Sequence, residues 1–168
     1  KICRLWLEEM KLLIKNYSDL YGLKFTNLRL GSLYGSRANN FNPITKAILQ
    51  AISENVIDRQ GDGKEIRNYI NVKDAANNVK EIIKKRYENT NVDMMGSQSI
   101  RVSEMFDKIS KYLNKKITIN YTGNSDEAHY KKNPFNYKPA KSYKLNKFKQ
   151  INLDDGIKSL LKDIKNKK

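Results

Sequence analysis

Residues 21–35 read YGLKFTNLRLGSLYG. Within them Phe25-Thr26-Asn27-Leu28-Arg29-Leu30 places Phe, Thr and Leu in near alternation, the pattern of a pleated, part-buried strand. Gly22 stands just before it, where a preceding helix would end. Gly31, Ser32 and Gly35 follow, where the chain must leave the sheet and turn. A helix, a short turn, a strand and a glycine-bearing loop make half of a βαβ unit, which predicts an α/β fold. In open α/β sheets ligands sit beyond the carboxyl ends of strands, so Leu30–Gly35 is also the first candidate site.

The rest of the chain fits around that unit. Its 168 residues give room for one domain with a sizeable core. Upstream, Leu5, Trp6, Met10, Leu13, Tyr17 and Leu20 recur at three and four, predicting a helix over residues 2–20 with that stripe inward. Downstream, Asn42-Pro43 reads as an N-cap and first turn for a helix carrying Ile44, Ala47, Ile48, Ala51 and Ile52. Asp58–Gly63 is a turn cluster, and Ile66–Val72 a strand. Asp74 is expected to cap a helix that buries Ala75, Ala76, Val79, Ile82 and Ile83. A short strand is predicted at Val92–Met95, a helix capped by Ser103, a strand at Lys116–Tyr121 and a last helix capped by Asn152. Residues 124–149 are polar, aromatic and irregular, and predict no element.

Composition narrows the function classes. Cys3 is the only cysteine, which excludes an intrachain disulfide. No apolar run approaches the roughly 20 residues of a membrane span and none reads as a signal peptide, so the cytoplasm is the expected compartment. The formal charge is +15, from 33 basic and 18 acidic residues. Most of the excess lies from Lys108 onward, in lysines scattered among Asn, Tyr and Ile. With no arginine there to make bidentate base contacts, a solvated surface is expected rather than a nucleic-acid interface. His129 is the only histidine and has no partner cysteine, so no metal site is expected. Asn39-Asn40 precedes a helix N-terminus, which suits either an anion or plain capping. Gly61-Asp62-Gly63 with Arg67 suits either a phosphate site or a turn beside a surface arginine.

Taken in series, LRLGSLYG, NNFNPI and GDGKEIRNYINVKDAA resemble the extended short-chain dehydrogenase/reductase family, the NAD-dependent epimerases and dehydratases of nucleotide sugars. The likeness covers residues 1 to about 122, and Leu153-Asp154-Asp155-Gly156-Ile157 is similar to the family's closing L-x-x-G-[IL] helix. It implies a C-terminal part of a Rossmann-type NAD(P)-binding fold plus a small mixed α/β substrate-binding domain. Residues 1–35 would be the tail of the Rossmann domain. Residues 36–168 would be mainly substrate-binding, with elements returning to the sheet.

The resemblance also implies roles. Leu30 and Gly31 fall where the backbone passes the nicotinamide, and Ser32 where a small polar residue touches the sugar. Asn40 and Phe41 match contacts to the phosphates and base, Arg67 the arginine on the diphosphate, and Tyr69 a position near the ribose. Cys3-Arg4-Leu5-Trp6-Leu7-Glu8 is similar to the end of the Tyr-x-x-x-Lys helix. Arg4 then takes the lysine's place as the one catalytic, cofactor-binding residue present. The tyrosine would precede Lys1. The chain opens Lys-Ile-Cys-Arg, without a starting methionine, and contains no G-x-x-G-x-x-G loop. A fragment is therefore expected, with the half that binds NAD or NADP absent, inactive alone and marginal as an independent fold. The Phe25–Leu30 strand would have lost its parallel neighbours. The expected ligand is a nucleotide sugar and the expected assembly a homodimer through the first helix. The arginine in the lysine position leaves open a non-catalytic nucleotide-sugar-binding or regulatory homologue. The basic tail leaves open, further off, a nucleic-acid-binding domain.

Overall fold

The computed structural model describes residues 2–123, 142–145 and 149–166, with residues 2–8 described as backbone only. Helix α1 (Ile2–Tyr21) ends at Gly22, whose φ of 65° is the left-handed conformation that stops a helix without steric cost. Strand β1 (Thr26–Leu30) follows and pairs in parallel with β5 (Thr90–Met94), from Thr26 opposite Thr90 to Leu30 opposite Met94. On its far side β5 pairs in parallel with β8 (Ser142–Lys144), giving the order β1-β5-β8. So β1 keeps one parallel neighbour, which corrects the expectation of none. Its other edge has no partner strand among the described residues.

Beyond Leu30 the chain changes sheets. The Gly31 amide still donates to the Met94 carbonyl at 3.0 Å. Residues Ser32–Tyr34 then form β2 and pair in parallel with β4 (Ile66–Asn71), Ser32 opposite Tyr69. Strand β6 (Ser99–Arg101) completes this sheet antiparallel to β4. The expected glycine loop is thus a strand, because the backbone groups of residues 32–34 find partners on β4. Two further strands went unread or were trimmed: β3 (Val56–Arg59) runs into the start of the expected Asp58–Gly63 turn and pairs in parallel with β7 (Thr118–Tyr121), which begins two residues later than expected.

The main core lies where α2 (Pro43–Ser53), α4 (Val102–Leu113) and α5 (Leu153–Lys165) meet the β2-β4-β6 sheet. Ile48, Ala51, Ile109 and Ile157 are fully buried there, on the stripes the helical periodicity predicts, and Met105 is buried with them. Asn42 caps α2 as expected: its Oδ1 accepts from the amides of Ile44 and Thr45, and its Nδ2 donates to the Leu33 carbonyl at 2.9 Å. Asn152 caps α5 through the Asp154 amide. The first amides of α4 are taken differently, since those of Val102 and Ser103 donate to the carbonyls of Glu65 and Gly63. Ser103 is therefore inside the helix, not its cap. A smaller core of Ile70, Ala75, Tyr87, Val92, Met94 and Leu145 surrounds β5.

Two helices contradict the expected buried faces. Helix α3 (Val72–Ile82) buries Asp74, Ala75, Asn78 and Glu81, while Val79 and Ile83 stand exposed and Ala76 with them. Its rotation is set by the strand before it. Asn71 ends β4 and caps α3 at once through the Lys73 amide, leaving no linker in which the helix could turn. Two of the buried polar groups find partners, since Asp74 Oδ2 accepts from the Ile151 amide at 2.9 Å and Glu81 pairs with Lys84 and Arg86, whereas Asn78 Oδ1 has none among the described residues. In α1, Met10, Leu13, Tyr17 and Leu20 are all more than half exposed. The stripe read as inward has no layer to cover it among the described residues.

Candidate functional site

Gly61 and Gly63 take positive φ, 101° and 71°, and so turn the chain tightly from β3 into β4. Asp62 Oδ1 accepts from the Lys64 amide at 3.0 Å inside that turn. A side chain at Gly63 would meet the Tyr121 ring at 2.6 Å, so the glycine also lets β7 close over the turn. The turn brings the end of β3 beside the start of β4. A cavity of about 280 Å³ opens there, between α2, the two strands and α4.

The apolar wall of that cavity is buried core: Ile57, Val102, Met105 and Phe106. Its polar side carries Arg59, Arg67 and Tyr69, with Lys46 and Asp58 also lining it, and Phe41 stands at it 90% exposed. Arg67 has no hydrogen-bond or ion-pair partner among the described residues, so its guanidinium is available to an anion. Tyr69 is 6% exposed, and burial pushes its hydroxyl up to about 12, against the pull of the Arg67 and Arg59 guanidinium groups. It stays a neutral phenol near neutral pH. It can donate or accept a hydrogen bond but cannot serve as a base. An apolar slot with an exposed aromatic ring and fork-shaped cations suits a ligand that is flat at one end and anionic beyond it.

Three of the residues singled out in the sequence, Phe41, Arg67 and Tyr69, thus meet at one cavity. Asn40 is exposed in the turn next to Phe41, outside the lining, and Ser32 lies opposite Tyr69 across the β2–β4 pair. Leu30 and Gly31 are elsewhere, at the carboxyl end of β1. Arg4 belongs to α1, and its side chain lies outside the described residues. The neighbouring Asn39 closes the turn before α2: its Oδ1 accepts from the amide of the cap residue Asn42 at 3.2 Å. Arg59 and Lys46 went unnoticed in the sequence. The Val-Ile-Asp-Arg strand that would have pointed to Arg59 is only four residues long and was absorbed into the turn.

At the β1–β2 switch, packing accounts for the glycine. A Cβ on Gly31 would lie 2.7 Å from Asn68 Oδ1 and 2.8 Å from its carbonyl oxygen. Asn68 is 3% exposed and bonded on all sides. Its Nδ2 donates to the Gly96 and Gln98 carbonyls and the Ser99 hydroxyl, each at 3.2 Å, and its Oδ1 accepts from the Gly96 amide at 2.6 Å. Leu30 and Leu33 remain about 40% exposed and offer an apolar wall at the end of a parallel strand. A wider cavity of about 360 Å³ is lined by Leu33, Tyr34 and Gly35, the end of the first candidate stretch, together with Arg37, Val72 and Lys73.

The sequence model described as the NAD dependent epimerase/dehydratase family matches residues 9–94. Among solved structures, the UDP-glucuronic acid 4-epimerase of Bacillus cereus, in complex with UDP-glucuronic acid and NAD, superposes with a TM-score of 0.79 at 17% identity, over 94% of this chain and 50% of that one. The UDP-glucose 4-epimerase of Thermotoga maritima with UDP-glucose gives 0.76 at 15%, over 95% and 52%. The dTDP-glucose 4,6-dehydratase of Bacillus anthracis with NAD gives 0.71 at 18%, over 90% and 48%. Identities this low establish a shared fold. The chain spans about half the length of the structures it matches. No curated protein matches it significantly.

Proposed function

The chain belongs to the NAD dependent epimerase/dehydratase family, and from that premise we propose that it is the C-terminal, substrate-binding portion of an NAD(P)-dependent nucleotide-sugar epimerase or dehydratase. The observation that carries this is the cavity holding Phe41, Arg67 and Tyr69 together, with an unpartnered guanidinium beside an exposed ring among the described residues. Arg67 grips the diphosphate through its planar fork, as no lysine could in one geometry. Phe41 covers the base, Tyr69 offers a neutral phenol towards the ribose, and Asn40 adds a polar contact at the rim. Ser32, one strand over, reaches the sugar. Similarity to proteins solved with UDP-glucuronic acid, UDP-glucose and NAD supports the ligand class.

Leu30, exposed where a parallel strand ends, fits one apolar wall for a nicotinamide ring, with Gly31 beside it. When bound, NAD or NADP supplies the hydride acceptor. Nothing among the described residues cradles its pyrophosphate. In the same proposal Arg4 stands in the position of the motif lysine on α1, the uncovered face of α1 forms a homodimer contact, and the compartment is the cytoplasm. An arginine in that position also favours a second reading, a homologue that binds nucleotide sugars without turning them over.

The test is a calorimetric titration of the chain with UDP-glucose, repeated for Arg67→Ala. A charge-assisted pair contributes about 1.5–3 kcal/mol, so the variant is expected to bind about ten- to a hundredfold more weakly. Equal affinity in both proteins contradicts the assignment. Hydride transfer to NAD by any longer form carrying this chain would remove the non-catalytic reading.

A further inference from the structure

We propose that Arg59, steered by Glu65, is a second anion-gripping residue of the cavity and sets its preference for a diphosphate over a single phosphate. This rests on the nucleotide-sugar reading above. Arg59 ends β3 and lines the same cavity as Arg67. One side of its guanidinium is fixed: Nη2 donates to Glu65 Oε1 at 2.7 Å, and the two side chains are only 21% and 11% exposed. Another of its donors is unspent. Nε is buried and has no hydrogen-bond partner among the described residues. A buried donor left unpaired costs free energy that a ligand acceptor would recover.

The charge balance points the same way. Glu65 neutralises one of the two guanidinium groups, yet Arg67 and Lys46 remain against Asp58, whose carboxylate already accepts from Asn120 at 2.9 Å. Tyr69 lies within the field of both arginines, so the two cations bear on the same volume. A monophosphate can satisfy Arg67 alone. A diphosphate is long enough and charged enough to engage a second, pre-positioned fork. Glu65 is a positioning residue here, since it holds Arg59 by Nη2 and leaves Nε without a partner among the described residues.

The experiment titrates the chain with UDP, UMP, uridine and inorganic pyrophosphate, and repeats the series for Arg59→Ala, Arg59→Lys and Glu65→Gln, with thermal unfolding of each. Arg59→Ala is expected to weaken UDP and pyrophosphate by about tenfold or more, and to leave UMP and uridine within about twofold. Arg59→Lys is expected to restore only part of the loss, because an ammonium lacks the fork. Glu65→Gln keeps an acceptor and should change UDP affinity less than Arg59→Ala does. A purely structural pair predicts equal losses for all ligands, in step with a lowered unfolding temperature, and that result overturns the proposal. If the chain binds pyrophosphate through Arg59 but discriminates no nucleotide, the nucleotide-sugar reading fails and the second cation stands. If UDP binds and Arg59→Ala leaves it unchanged, the second cation fails and the reading stands. If none of the four ligands binds, both fall.

Discussion

Gly156 shows how much a single missing atom can position. A Cβ there would lie 2.1 Å from the Tyr34 hydroxyl, so the glycine is what lets α5 pack onto β2. Tyr34 is 2% exposed, and burial raises its hydroxyl pKa against the hydrogen bond to Asn71. Gly156→Ala is therefore expected to destabilise the chain by about 1–3 kcal/mol, the usual range for overpacking, as read by urea unfolding. An unchanged midpoint would mean that Tyr34 has somewhere else to go. Asn68 makes the complementary case. Asn68→Ala leaves the Gly96 amide and two carbonyls without their partner in a part-buried place and should cost about 1–3 kcal/mol. Gly31 and Gly35 were visible in the sequence as turn residues, and Gly156 as part of the closing-helix resemblance. That each is required by a neighbouring Asn68, Val72 or Tyr34 side chain was not, because those neighbours are far apart in the chain.

Among the elements, β1 is tied to β5 by more than its backbone ladder. Arg29 Nε and Nη2 donate to the two Asp93 oxygens at 2.6 and 2.8 Å, and the Asp93 side chain is 5% exposed. Burial pushes the Asp93 carboxyl up, but the Arg29 guanidinium, Ser142 and Lys144 together outweigh it and hold the pKa below the usual aspartate value. A carboxylate with a lowered folded-state pKa stabilises above its unfolded value of about 3.9 and loses that contribution as pH falls through the folded value. Acid unfolding should therefore include a component below about pH 4 that Asp93→Asn removes. An identical acid limb in the variant would assign the acid sensitivity to other carboxylates. At this scale the sequence was legible wherever one face carried a clear period, as in α2, α4 and α5. It misled for α3, where an uninterrupted passage from β4 fixes the rotation and overrides the apolar stripe. It was silent on β8, three residues whose pairing with β5 is set by position in the sheet rather than by pattern.

For the molecule as a whole, the uncovered surface is the notable property. Leu28 and Leu30 are exposed on an edge strand, and the apolar stripe of α1 is exposed along with them. Among the described residues no helix is long and apolar enough to cross a membrane, so this stripe is not a spanning segment. Free strand edges and apolar patches favour association. Sedimentation velocity is expected to show an average mass that rises with concentration, and Leu13→Lys with Leu20→Lys to lower it if α1 is the contact. A concentration-independent monomer would remove the homodimer proposal. What the sequence conveyed at this scale was the family resemblance, which depends on the order of weak motifs. What it could not convey was that Phe41, Arg67 and Tyr69 share one cavity with Arg59, because that depends on β3, a strand too short to announce itself.

That shared cavity is the central claim, and a ¹H–¹⁵N NMR titration of the chain with UDP tests it most directly. The expected result is saturable shifts concentrated at Phe41, Arg59, Arg67, Tyr69 and Val102, with residues 33–38 and Lys73 unmoved. Shifts centred instead on Leu33, Arg37 and Lys73, or none at all, would contradict it.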